Sequence, residues 1–484
     1  MKNSFYKSLS EHELFEIFKE TPFKRKPFHH QLCSIAFAID NNRIMLLHDI
    51  GTGKTLTALY SILMWKAKKT LVICPSSVVL TWVEEIERYT PFKYELLLGT
   101  TKERKQKLNK HADIYIINYE GLKWLFATKQ KIKVKGKTQN KFVIDWDEIK
   151  KHNFDCVLAD EFHRFKDSRT IQTKIAASLS AKSTYVIMMS GTPIVNNEID
   201  VFSEFLVLDA GETFGTSVYR FLTKYFKQDW WGNWAIRGEE ERQQILSLME
   251  PKVIRYSKEE CVDLPDKTYE VRWATQSKEQ IELTAKILEG IRVDLENGSL
   301  KPQNALLRTN KLAQITGGFL ITNKKMNKLK TNPKINELEE CLKEINGKAL
   351  IFHQYQEEGR EIETLCKKMK IGFASLRGEI KNKEKEYKKF KENPNVKILI
   401  AHHLSGGEGL NFQNASTVIF FSNSYSNVAR QQCEGRIYRS GQQNKCTFID
   451  IIMKGTIDER ILEAQRGKKD ISDSLLEWLK IKKL

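Results

Sequence analysis

Short apolar runs alternate with stretches of helical periodicity, and they do so twice along the chain. In the first part, Arg43–His48, Thr70–Cys74, Ile114–Asn118, Asp155–Ala159 and Ser183–Met189 each have the length and apolar content of a buried strand. Helix-like periodicity lies between them, for example at Thr55–Lys68 and Val79–Tyr89. The pattern returns late in the chain with Ala349–His353, Ile371–Leu376, Val396–Ala401, Val418–Ser422 and Thr447–Ile452. Strands alternating with helices imply βαβ units and a parallel sheet. Roughly residues 200 to 330 break the pattern, being mostly helical with aromatic clusters. The expected fold class is therefore α/β: two parallel-sheet lobes, at 1–215 and 331–484, joined by a mostly helical bridge at 216–330. A Lys-rich insertion at about 127–150 interrupts the first lobe. The 484 residues agree with two to four folding units.

Charge narrows the partners. Lys and Arg total 79 against 61 Asp and Glu, a formal charge of +18, which points to a polyanion. An acidic membrane is disfavoured, because the longest apolar runs fall far short of the ~18 residues needed to span a bilayer. Met1–Tyr6 continues into charged sequence with no signal-peptide apolar region, so an intracellular protein, neither secreted nor membrane-bound, is expected. The eight cysteines are scattered without a C-x-x-C pair, which excludes zinc-ribbon spacing and suits small core residues in a reducing compartment.

One segment carries specific chemistry. His48-Asp49-Ile50-Gly51-Thr52-Gly53-Lys54-Thr55 follows a strand and opens a helix, and its G-K-T ending matches the Walker A phosphate loop. Glycines let backbone N–H groups turn around a phosphate, Lys54 supplies a point charge to the β and γ phosphates of ATP, and Thr55 offers a hydroxyl to Mg²⁺. His48 stands where the strict pattern has Gly. The complementary acidic pair is expected at the end of a neighbouring strand, and Asp160-Glu161 supplies it: Asp160 for Mg²⁺, Glu161 to polarise the attacking water. His163 could relay between this site and the next segment. Ser190 and Thr192, in Ser190-Gly191-Thr192-Pro193 after another apolar strand, could sense the γ-phosphate.

The order of these motifs resembles helicase superfamily two, with its DEAD/DEAH-box-type core, and within it the Swi/Snf-like ATPases. The resemblance runs from about Pro27 to Leu462. Phe28-His29-His30-Gln31 looks like the adenine-reading glutamine segment, Val72–Ser76 with Thr81-Trp82 like the first strand-contact motif, and Ile116–Glu120 like the next. Asp160–Asp167 is close to D-E-A-H-R-x-K-N. Ser405-Gly406-Gly407-Glu408-Gly409-Leu410-Asn411-Phe412 resembles A-G-G-x-G-L-N-L, and Gln432–Gln442 matches Q-x-x-x-R-x-x-R-x-G-Q at every fixed position. Ile254–Lys258 with Leu264-Pro265 resembles the bridge of the Swi/Snf branch, and Gly455–Ile461 the tail helix. The Trp-rich bridge looks nearest to the annealing-helicase subgroup. Departures are His48 at the loop, Phe162 between Glu161 and His163, His402-His403 for Ser-Thr, and Tyr425-Ser426-Asn427 for Trp-Asn-Pro.

The resemblance implies two RecA-like lobes with ATP and Mg²⁺ between them. It implies ATP binding by Gln31, by His48 to Thr55 and by Gly407 and Gly409, and catalysis by Lys54, Asp160, Glu161 and the arginine fingers Arg436 and Arg439. His163, Ser190, Thr192 and Gln432 would couple ATP turnover to movement along DNA. Nucleic-acid contacts are expected at Ser76, Trp82, Tyr119, Lys166, Ser405 and Asn423, dominated by the backbone and therefore salt-sensitive. The implied protein is a DNA translocase, ATPase and remodeller acting on duplex or forked DNA, most simply as a monomer. Its compactness suits a phage, virus or mobile element. A strand-separating DNA or RNA helicase and a non-catalytic nucleic-acid scaffold are the alternatives.

Three features stay open in the sequence. Lys129–Lys137 fits a basic β-hairpin or a loop, and a solvated insertion or a nucleic-acid contact. Trp230, Trp231 and Trp234 fit stacking on bases or burial in the bridge. Lys381–Lys391, which also holds Glu384 and Glu386, fits an exposed helix with i,i+4 pairs or a basic contact.

Overall fold

Both blocks of apolar runs form parallel sheets in a computed structural model that describes residues 2–21, 23–134, 137–191, 198–228, 232, 234–261, 265–296, 302–322, 325–380, 382–403, 412–439 and 441–467. The chain divides into two units, Met1–Asp263 and Leu264–Leu484. The first holds β1 (Arg43–His48), β2 (Thr70–Cys74), β3 (Tyr94–Leu96), β4 (Ile114–Asn118), β5 (Ala127–Val134), β6 (Lys137–Ile144), β7 (Cys156–Asp160), β8 (Tyr185–Met189), β9 (Phe226–Gln228), β10 (Trp234–Ile236) and β11 (Val253–Tyr256). Its main sheet runs β11-β1-β8-β7-β2-β4-β3, with every neighbouring pair parallel.

Burial on both faces explains why these strands read as unbroken apolar runs. Successive side chains leave a strand on opposite faces. Leu71 and Ile73 accordingly enter one core and Val72 and Cys74 the other; Met45 and Leu47 part from Ile44 and Leu46 in the same way.

The second unit repeats the design. It holds β12 (Lys267–Ala274), β13 (Phe319–Thr322), β14 (Lys325–Lys328), β15 (Lys348–His353), β16 (Gly372–Leu376), β17 (Val396–His402), β18 (Ala415–Phe420) and β19 (Cys446–Met453). Its sheet order is β12-β19-β18-β15-β17-β16, again all parallel. Leu350 and Phe352 face one core, Ala349 and Ile351 the other.

The stretch 216–330, expected as a bridge, is shared between the units. Up to residue 261 it contributes the β9–β10 hairpin and β11, which pairs with β1. From residue 265 it contributes β12, which pairs with β19, two helices (Lys278–Glu296 and Pro302–Thr316) and the β13–β14 hairpin.

Local differences from expectation have local causes. The helix after the phosphate loop spans Lys54–Trp65 and stops before Lys68, because Lys66 turns left-handed at φ 55° and its N–H closes on Ile62 and Leu63 carbonyls. β18 ends before Ser422, whose hydroxyl donates instead to Glu358 at 2.6 Å. In the Lys129–Lys137 run, Lys129–Val134 and Lys137 belong to the antiparallel pair β5–β6, and residues 135 and 136 lie outside the described residues. Lys383–Glu392 is a helix with a Lys388–Glu384 pair at 2.8 Å. All eight cysteines are free thiols, and Cys261 alone among them is incompletely buried. Among the described residues no helix is long and apolar enough to cross a membrane.

Candidate functional site

Strand order assembles the site. β1, β8 and β7 are consecutive neighbours in a parallel sheet, so the segments that follow them emerge at one edge. Those segments are the loop His48–Thr55, Ser190-Gly191 and Asp160-Glu161. Crevices outside the carboxyl ends of such strands are where open α/β sheets bind ligands.

The loop's turn depends on its glycines. Gly51 and Gly53 sit at φ 89° and 86°, the left-handed region that residues with a Cβ avoid. Lys54 donates to the carbonyls of His48 (2.8 Å) and Asp49 (3.1 Å), so its ammonium lies over the loop. Thr52 donates its hydroxyl to Asp49 O at 2.9 Å. The helix His29–Asp40 braces the loop from behind. His30 Nε2 lies 2.8 Å from Thr52 O, and Gln31 donates to Thr52 and Gly53 carbonyls at 3.2 Å while accepting the Phe28 N–H at 2.9 Å. A Cβ on Gly53 would overlap Gln31 Nε2. On the other flank, Asp49 N donates to Tyr256 O at 3.0 Å, and Asp49 Oδ2 accepts from Lys258 N at 3.1 Å.

His48 turns inward. Its ring is fully buried beside Ser34 Oγ, 3.2 Å from Nε2. Burial, then the charge of Lys54, holds it well below the usual imidazole range. It is neutral, and its contribution to the loop is the carbonyl that Lys54 uses.

The acidic pair closes the site. Asp160 ends β7, and Trp82 Nε1 donates to its Oδ2 at 3.0 Å. Burial, then the neighbouring Glu161 charge, pushes the Asp160 carboxyl upward, while the Trp82 bond and Lys54 oppose the shift. Glu161 bends the chain through a left-handed conformation, φ 57°, with its N–H on Met189 O at 2.8 Å. Such a backbone costs roughly 1–2 kcal/mol in a residue with a Cβ. Glu161 Oε2 accepts from Ser190 Oγ at 3.3 Å and lies 3.4 Å from His163 Nδ1. The turn after β8 approaches the loop closely: a Cβ at Gly191 would overlap Ile50 Cγ1 and sit 3.2 Å from Lys54 Nζ.

Two expected nucleic-acid contacts prove to be part of this support. Trp82 is 1% exposed and Tyr119 6%. Tyr119 donates to the carbonyls of Asp160 (2.7 Å) and Glu161 (3.2 Å). Both rings lie behind the acidic pair, out of reach of a nucleic acid. The signal was present for Trp82, because Val79, Trp82, Ile86 and Tyr89 recur at helical spacing on the buried face of Val79–Tyr89. Ser76 and Lys166 are exposed, with Asn118 Nδ2 donating to Ser76 Oγ at 2.9 Å.

In the second unit, the helix Asn427–Glu434 carries a buried Gln432 and leads into a buried Arg436 and a half-exposed Arg439. Gln442 fastens this turn by donating to Ala415 O (2.9 Å) and Ile437 O (3.2 Å). Asn423, also expected at nucleic acid, is 8% exposed. It bridges Asp450 Oδ1 (3.0 Å) and Arg430 Nη1 (2.7 Å), so its amide is used inside the lobe. His403 is buried with Nε2 2.7 Å from Ser422 O. Trp234 is half-buried against the first unit's core, which favours the packing reading of that residue. Thr192, Trp230, Trp231, Ser405, Gly407 and Gly409 lie outside the described residues.

Sequence reasoning quoted His30 only within Phe28–Gln31 and gave it no role of its own, and it missed Ser34 and Glu204. That carboxyl, on the helix Val201–Asp209, is pushed up to about 8 by burial and then by Asp200; no local pattern marks it.

The donor set suits a nucleotide's phosphates and a hard cation. Loop N–H groups at a helix start, with an ammonium beside them, are an anion cradle. Among the described residues no three His, Cys, Asp or Glu side chains could hold a metal by themselves. Thr55 and Asp160 offer one hydroxyl and one carboxylate, the sparse oxygen set with which Mg²⁺ binds alongside phosphate and water oxygens.

Comparisons with known proteins agree in kind. A family model described as an SNF2-related domain matches residues 14–337, and one described as a helicase conserved C-terminal domain matches 333–441. Protein p41 of Acyrthosiphon pisum secondary endosymbiont phage 1 is 26% identical over 496 residues, covering 95% of this chain and 99% of the relative. An uncharacterised ATP-dependent helicase of Mycoplasma genitalium is 25% identical, covering 90% of this chain and 40% of its own. The chain thus spans nearly all of one relative and well under half of the other. A solved structure, the Sulfolobus solfataricus SWI2/SNF2 ATPase core in complex with dsDNA, is 23% identical with a TM-score of 0.43, covering 93% of this chain and 94% of that one.

Proposed function

The chain belongs to the SNF2-related family, and on that premise we propose that it is an ATP-dependent DNA translocase or remodeller whose ATP turnover responds to duplex or forked DNA. The observation that carries the reading is the adjacency of β1, β8 and β7, which brings Lys54, Ser190, Asp160 and Glu161 to one sheet edge.

Lys54 and the loop N–H groups hold the phosphates, with Gln31 and His30 keeping the loop in register. Glu161, held by Ser190, orients the attacking water and accepts its proton. Thr55 and Asp160 would hold Mg²⁺, which when bound neutralises charge on the phosphates. Arg436 and Arg439 supply cations to the transferring phosphoryl group, and Gly407 and Gly409 contribute to nucleotide binding. His163, Thr192 and Gln432 couple turnover to movement. Ser76, Lys166 and Ser405 contact the DNA backbone. The protein works inside the cell, as a monomer.

The test is ATP turnover of wild type, Lys54→Ala and Glu161→Gln with no nucleic acid, single strand, duplex, fork and RNA. The reading expects duplex or fork to stimulate the wild type most, and both variants to lose at least tenfold. Equal rates for the three proteins would end the enzymatic assignment, and greater stimulation by RNA would end the choice of DNA.

A further inference from the structure

The β5–β6 ribbon takes no part in the site. Residues 127–144 hold six lysines and no carboxylate. Pairing runs from Ala127–Ile144 to Val134–Lys137, eight residues per strand, or roughly 27 Å at ~3.4 Å per residue. The root is anchored: Phe142 and Ile144 pack on the first unit's core, and Phe142 meets Trp124 edge-on at 4.9 Å. Lys129, Lys131 and Lys141 are exposed, and among the described residues no ion pair involves them. The helix Lys383–Glu392 differs, because it holds Glu384 and Glu386, which pair with Lys388 and Lys389.

A second basic feature adjoins the root. Asp145, whose N–H bonds Phe126 O at 2.9 Å, leads from β6 into the helix Trp146–Lys151. That helix lines a cavity of about 730 Å³ together with Lys68, Lys69, Lys105 and Lys110. Its one carboxylate, Glu148, is already engaged by Lys105 at 3.3 Å and Lys151 at 3.6 Å. Lys69 lies over the Tyr115 and Phe154 rings at 5.5 and 5.1 Å. Lys68 and Lys69 immediately precede β2, Asn109 to Ala112 precede β4, and Lys151 precedes β7. The cavity is therefore at the amino ends of the strands, one strand length, roughly 17 Å, from the edge that carries Lys54 and the acidic pair.

We propose that the ribbon and the cavity at its root form a second duplex-DNA surface on the first unit, with the ribbon in the major groove and the cavity lysines on the flanking backbone. The identification of the polyanion as DNA rests on the translocase reading. The exposed lysines, Lys68 and Lys110 at the cavity and Lys129, Lys131 and Lys141 on the ribbon, are spread too widely to serve one small anion. Lys129 and Lys131 lie on one face of the ribbon, opposite Phe142 and Asn140, and Lys141 lies on the other, opposite Gln130. A groove about 12 Å wide admits a two-stranded ribbon and offers phosphates on both sides, whereas a single strand offers one backbone.

The experiment measures Kd against KCl concentration for a fluorescein-labelled duplex and for the single strand of equal length. The proteins are wild type, K129Q/K131Q/K141Q, the corresponding triple Arg variant, and K68Q/K110Q. Each lost phosphate contact lowers the slope of log K against log salt by ~0.9. The triple Gln variant is expected to lose roughly 2–3 from the duplex slope, the Lys68/Lys110 variant roughly 1–2, and the Arg variant nothing. Unchanged slopes in Gln variants that melt like wild type would overturn the proposal, and equal losses on the single strand would overturn the groove assignment. If duplex fails to stimulate wild-type ATP turnover while the slopes depend on these lysines, the translocase reading fails and the ribbon surface stands.

Discussion

Trp82→Phe tests the electrostatics of the acidic pair. The substitution keeps an aromatic ring at a position 1% exposed and removes one interaction, the 3.0 Å bond from Nε1 to Asp160 Oδ2. That bond opposes the upward push that burial and Glu161 exert on Asp160. A hydrogen bond to a charged group is worth about 1.5–3 kcal/mol, and one pKa unit corresponds to about 1.4 kcal/mol. Losing the bond should therefore raise the Asp160 carboxyl by roughly 1–2 further units. Under the proposed mechanism Asp160 must be ionised to hold Mg²⁺, so the acidic limb of the pH–rate profile moves to higher pH by that amount. DNA-stimulated ATP turnover measured from about pH 6 to about pH 9.5 should show a deficit of roughly 10–100-fold at the acid end that closes at the alkaline end. A deficit constant across the range would mean a packing defect, and superimposable profiles would mean that the bond does nothing for the carboxylate; either result refutes the reasoning.

Glu204→Gln should stabilise the protein above neutral pH. The native carboxyl keeps its proton to about 8, while the unfolded one ionises near its ordinary ~4.3, so wild-type stability falls as pH rises through that window and the variant lacks this slope. The gap should reach on the order of 3–5 kcal/mol near pH 8, read as urea midpoints at several pH values; parallel pH dependences would contradict it. Asn423→Ala should cost about 1–3 kcal/mol of unfolding free energy, read from urea titrations, by leaving Arg430 and Asp450 short of a partner, with no change in duplex Kd; a loss of affinity without destabilisation would return Asn423 to the DNA surface. Gly53→Ala, at φ 86° and against Gln31 Nε2, should cost about 1–2 kcal/mol and weaken ATP binding in an equilibrium assay, whereas full ATP affinity would show that the loop tolerates a Cβ.

Much of the fold and the centre of the site were legible in the sequence, because their signals are contiguous. Apolar runs such as Thr70–Cys74 mark strands buried on both faces, and a glycine turn before Lys54-Thr55, between a strand and a helix, marks a candidate phosphate loop. The nucleic-acid contacts were less legible. Trp82, Tyr119 and Asn423 carry side chains that serve equally well on a surface or around a buried charge, and residue type does not decide between those settings. The lysines at Lys129–Lys137 could not be told from a loop until their cross-strand partners were known.

The sequence alone determined that the chain would build two parallel sheets, with a glycine-containing loop before Lys54 and an acidic pair in the first. Backbone conformation and burial pattern answer to residues a few positions apart. The tertiary structure decided that β8 lies between β1 and β7, so that Ser190 meets Glu161 and Gly191 meets the loop. It also decided that Trp82 reaches Asp160 across 78 residues of chain. Which strands become neighbours, and which side chain meets a buried carboxylate, depends on how the whole sheet covers its two apolar faces, and no local pattern records that.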